Sequence, residues 1–141
     1  MLRRKRLPPE LGSAREAFDA VLAEVEPAKA ALADCMPSTR MPGRPLPDAL
    51  VEYEEHLGRA RGLMPPWREP RLETQWLACD AALVEALAVA GRLRREAPDL
   101  GGFEGLLGTV ESLMDPLDAF AAAAERFRAL RTSRPPASRP G

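Results

Sequence analysis

The chain contains no isoleucine, one tyrosine, one histidine and two lysines. Runs of Val, Thr and aromatic residues, the usual material of strands, are missing as well, and aromatics make up only 5% of the sequence. A pleated, half-buried surface has little to be built from here, so closely spaced helices are favoured over a sheet. The lone His56 has Tyr53 three positions before it, so the paired Glu-x-x-His motifs of di-metal helical bundles are excluded too. Glu52, four residues before His56, is its expected partner on a helix surface.

The two cysteines, Cys35 and Cys79, are too far apart for a Cys-x-x-Cys site, and one histidine cannot complete a four-ligand zinc set. No metal or cofactor is expected. No Gly-x-Ser-x-Gly elbow, Walker loop or dinucleotide fingerprint occurs, and "GGFEGLLG" at 101–108 lacks the lysine and preceding strand of a phosphate cradle. Paired carboxylates such as Glu54 with Glu55, or Asp115 with Asp118, have no companion nucleophile or base, so catalysis is not expected. No apolar stretch approaches the roughly 20 residues of a membrane span. "MLRRKRL" is followed by "PPELGSARE" rather than an apolar core, unlike a secretory leader, and a cytoplasmic location is expected. The preference for arginine over lysine, with abundant alanine, proline and glycine, fits a GC-rich bacterial genome.

What is present is one spacing, used four times. Ala14, Phe18, Val21, Val25, Ala28, Leu32 and Cys35 alternate steps of four and three, a helical seam, and "SARE" ahead of it has the capping-box pattern with Ser13 as cap and Glu16 reaching back. Leu46, Leu50, Tyr53, Leu57, Ala60 and Met64 form a second seam, with Pro47 in its first turn and Pro65–Pro66 ending it. A third helix is predicted from about Pro70 to Glu96 on Leu72, Trp76, Cys79, Leu83, Ala86, Ala90 and Leu93. A fourth runs from about Gly102 to Arg131 on Phe103, Leu106, Val110, Leu113, Leu117, Phe120, Ala124 and Phe127. Leu22, Val51, Leu87, Leu107 and Met114 widen these stripes to the faces of a globular bundle.

The expected architecture is all-α: an antiparallel up-down-up-down four-helix bundle over 13–131, between a basic tail at 1–12 and a disordered tail at 132–141. Kinks are expected near Pro27 and Pro116, freeing the carbonyls of Ala23 and Ser112, and Asp115–Pro116 is also a possible restart of the fourth helix. In this topology the two cysteines differ in height by roughly 15 Å, beyond the ~7 Å reach of a disulfide, and are expected as small buried hydrophobes.

Net charge is -1, but residues 1–15 carry five bases and one acid, and residues 126–141 five bases and no acid. The intervening body is therefore acidic. Both ends and the connection between the second and third helices fall at one pole of the bundle, which makes the molecule dipolar. At that pole "LMPPWREP" (63–70) holds Trp67 in an irregular segment, to be either a lid on the layer of Phe18, Leu57, Trp76 and Phe127 or an anchor for a partner. The candidate partner-binding set is Trp67, Arg68, Arg71, Arg59, Arg61, Arg128 and Arg131. The expected function is a non-enzymatic protein-interaction or accessory module, with a protein partner or self-association. The competing expectation is binding of nucleic acid or an anionic membrane surface through the basic pole. A small-molecule substrate is not expected.

Overall fold

The computed structural model describes residues 12–96 and 102–132, with side chains described as far as Phe127 in the last helix. All regular structure among these residues is helical: α1 (Gly12–Ala33), α2 (Leu46–Gly62), α3 (Glu73–Glu96) and α4 (Phe103–Thr132), with two 3-10 turns, Pro65–Trp67 and Pro70–Leu72, between α2 and α3. The helices run antiparallel in chain order around one core. α1 packs most extensively on α2 and α3 on α4, while the α2–α3 and α1–α4 seams are smaller.

Each predicted seam lies in this core, and every seam residue of α1 and α2 is buried. Two details at the helix starts differ from expectation. Ser13 falls inside the first turn of α1 rather than ahead of it, and α3 proper begins at Glu73, the predicted start at Pro70 being the preceding 3-10 turn, where Glu69 accepts a hydrogen bond from the Arg71 amide at 3.1 Å.

Three apolar residues assigned to the core face water instead: Val51, Phe103 (55% exposed) and Leu107. Helix lengths explain the last two. Phe18 meets both Phe120 and Phe127, with ring centroids 6.1 and 4.5 Å away, so at about 1.5 Å per residue Leu107 is level with the end of α1 and Phe103 lies beyond it. α4 has 30 residues and α1 has 22, and the excess overhangs. Val51 lies well away from the α2 seam in helical rotation, so widening that stripe toward it was an error of face.

Pro27 and Pro116 both sit inside continuous helices, so α4 is one helix and not two. A carbonyl beside Pro116 is nevertheless used. The fully buried Tyr53 hydroxyl of α2 donates to the Leu113 carbonyl of α4 at 2.6 Å, one residue on from the carbonyl whose amide partner the proline removes. This bond crosses the bundle diagonally. Burial pushes the Tyr53 phenol well above its ordinary value, and the hydroxyl remains a donor.

The α1–α2 connection folds back on the end of α1. Arg44 N–H donates to the Asp34 carbonyl at 2.7 Å, and the Ser38 hydroxyl accepts from the amides of Arg40 and Met41 at 3.3 and 3.1 Å. Gly43 lies so close to the Cys35 carbonyl that a Cβ there would overlap it. Cys35 and Cys79 are both buried and free.

Candidate functional site at the basic end of the bundle

The α2–α3 connection carries most of the residues expected to bind a partner. Leu63 ends α2, its amide bonding back to the carbonyls of Arg59 and Ala60, and Pro65–Pro66 force the chain into a 3-10 turn that swings the next side chain inward. That side chain is Trp67, which has no exposed surface. Its ring stands edge-on to Phe18 at 4.9 Å and to Phe127 at 5.5 Å, and is tilted against Trp76 at 6.5 Å. Its indole N–H is satisfied by the Met64 sulfur at 3.3 Å, and Trp76 donates to the Met64 carbonyl at 2.8 Å. Trp67 is the lid of the predicted aromatic layer. As a surface anchor for a partner it is corrected, because nothing outside the molecule can touch it in this conformation.

Of the six arginines in the candidate set, the four with described side chains, Arg59, Arg61, Arg68 and Arg71, are each matched by an acid. Arg68 forms a two-point pair with Glu73 at 3.1 and 2.6 Å, and its guanidinium lies 4.1 Å above the Trp76 ring. Glu73 is thereby held below the usual carboxylate range. Arg71 pairs with Glu69 at 3.0 Å. Arg61 reaches across to Asp80 of α3 at 3.1 and 3.4 Å, whereas Arg59 turns the other way, to Glu24 of α1 at 3.2 Å. Two positions apart on a helix, Arg59 and Arg61 serve opposite seams. Arg61 and Arg68 nevertheless stay near one another, since the Asp80 carboxylate acts on both guanidinium groups. The side chains of Arg128 and Arg131, like Arg3, Arg4, Lys5, Arg6, Arg134 and Arg139, lie outside the described residues, whereas Arg15 pairs with Asp19 at 3.2 Å.

A second polar group spans the α1–α2 seam. His56 Nδ1 is 2.8 Å from Glu24 and 3.0 Å from Arg59, while its Nε2 is 3.6 Å from Glu52, which pairs with Arg44 at 2.7 Å. The expected His56–Glu52 pair is therefore the longer of two contacts. The closer one comes from Glu24, 32 positions away and invisible to local spacing. The His56 hydrogen bond and the Arg59 charge hold the Glu24 carboxyl below its ordinary value. Among the described residues, no group of three or more His, Cys, Asp and Glu side chains could hold a metal ion.

A surface feature separate from the core seams lies on α3. Leu77 (50% exposed) and Val84 (43% exposed) stand seven residues apart with the exposed Ala81 and Ala88 between and beyond them, a second apolar stripe facing outward. Its 4-3-4 spacing was present in the sequence, masked by the stronger seam on the same helix. No protein-family profile, curated protein or solved structure matches the chain.

Proposed function

We propose that this protein is a non-enzymatic helical module that docks a helix of a protein partner, or of a second copy, on the outer face of α3. One observation carries the reading: Leu77, Ala81, Val84 and Ala88 repeat the core spacing on the exposed side of α3. A helix with two apolar stripes is the pattern of one that packs on two sides. The two free, buried cysteines support a reducing, cytoplasmic setting.

The test is the double substitution Leu77→Glu/Val84→Glu in the full chain. Both positions are half exposed, so the thermal midpoint is expected to stay within a few degrees. Sedimentation equilibrium and affinity capture are expected to show a complex that the substitution abolishes; an equal complex in both proteins, or none in either, removes the reading. Binding of anionic surfaces through the α2–α3 arginines is weakened by their existing carboxylate partners. That alternative predicts DNA or anionic-vesicle binding that falls steeply as salt rises.

A further inference from the structure

Along the outward stripe of α3, large and small side chains alternate: Leu77 (50% exposed), Ala81, Val84 (43% exposed) and Ala88. The order is symmetric about its own middle. Leu77 and Ala88 lie equally far from the point between Ala82 and Leu83, and so do Ala81 and Val84. A second copy of α3 laid antiparallel about that point sets Leu77 against Ala88 and Val84 against Ala81, each contact occurring twice. Every large side chain then meets a small one, so the two axes come to the near end of the usual range of about 8 to 10 Å. A parallel copy in the same register stacks Leu77 on Leu77 and Ala81 on Ala81, alternately crowded and hollow.

Charge selects the same orientation. α3 is acidic in its first turn, at Glu73, and basic in its last, at Arg94 and Arg95. Antiparallel pairing brings the basic end of each helix to the acidic end of the other and sets the two helix dipoles in opposition. Parallel pairing puts like ends together. It also places Asp80 beside the other helix's Glu85, because these two flank the stripe on opposite sides, whereas the antiparallel pair sets Asp80 by Leu87 and Glu85 by Ala78. The like charges are thereby kept apart.

Given that α3 docks a helix on this face, we propose that the docked helix is the α3 of a second copy, antiparallel across a two-fold axis between Ala82 and Leu83. Leu77 of each copy packs on Ala88 of the other, and Val84 on Ala81. A contact made by one helix of each copy is small beside the roughly 1,600 Å² of a standard interface, so the dimer is reversible and forms as concentration rises. Both native cysteines are buried in the core and take no part in the contact.

Disulfide trapping reads the register. Two variants of the full chain, Leu77→Cys and Ala88→Cys, are prepared separately, one carrying a mass tag, and mixed in equal amounts under oxidised glutathione. Both positions are exposed, so the fold is expected to hold. Across the two-fold axis the two introduced thiols face each other, whereas same-variant thiols are offset by about 16 Å along the helices. The mixed disulfide is expected to exceed either same-variant one by about ten-fold, only the mixed pair lying within the ~7 Å between Cα atoms that a bridge spans. It is expected to disappear when Val84→Glu is added to both chains, and the unsubstituted chain is expected to show a dimer in sedimentation equilibrium that grows with concentration. Same-variant disulfides in equal or greater yield, or a mixed disulfide that survives Val84→Glu, overturn the antiparallel pair. So does a chain that stays monomeric. If that monomer still captures another protein that Leu77→Glu/Val84→Glu releases, the docking face stands and only the second copy as its occupant falls.

Discussion

Trp67 closes the basic end of the core from a segment that has no helix of its own. The two prolines before it limit the loop's freedom in the unfolded chain and turn the indole inward, and Phe18, Phe127, Trp76 and Met64 supply its surroundings. Removing it leaves a large cavity lined by rings that cannot collapse onto one another without moving helices. Trp67→Ala is expected to cost about 3 to 5 kcal/mol in urea-induced unfolding, in line with large-to-small aromatic substitutions in cores. A loss under about 1 kcal/mol would mean that the ring is not a structural lid. Arg68 above Trp76 has a smaller role, since its pair with Glu73 is exposed on both sides and such pairs contribute little.

At the scale of elements, the connections are as specific as the helices. The α1–α2 segment is held by the Arg44–Asp34 backbone bond and by Gly43 against the Cys35 carbonyl. Gly43→Ala forces that backbone apart, and a loss of about 1 to 3 kcal/mol in chemical denaturation is expected, as for other overpacked sites. Gly58 on the open face of α2 is the control, because a Cβ there meets nothing and alanine favours the helix. The helices themselves were legible, since alternating steps of four and three encode both period and buried face. Gly43 was not, because closeness between a loop and a helix end has no signature in local spacing. Nor was the exposure of Phe103, which depends on the length of another helix.

On the scale of the whole molecule, charge is organised by seams more than by poles. Sequence position placed the arginines of the α2–α3 end together, but helical rotation sends Arg59 to α1 and Arg61 to α3, and each finds a carboxylate there. Rotation was readable from the sequence; which carboxylate stood opposite was not. These pairs give stability a direction in pH. Glu24, Glu52 and Glu73 all have carboxyls held below the ordinary value of 4.5 by hydrogen-bonded bases, so the folded state binds fewer protons than the unfolded state in that range. Their contribution is complete above the ordinary value and is lost as pH falls through the lowered ones. The thermal midpoint is expected to be level near neutrality and to drop on acidification below about pH 4.5. Glu24→Gln is expected to shrink that drop, and an undiminished drop would assign it to other carboxylates.

The two buried thiols have a consequence of their own. Cys35 lies just past the end of α1, whereas Cys79 sits in the second turn of α3, one turn from the tryptophan layer. Burial raises both thiols above their ordinary value, Cys79 to about 12, so neither is a ready nucleophile while folded. Each becomes reactive only when its own stretch of the bundle opens. The molecule therefore carries two natural clocks, and their labelling rates would time the loosening of its opposite ends separately.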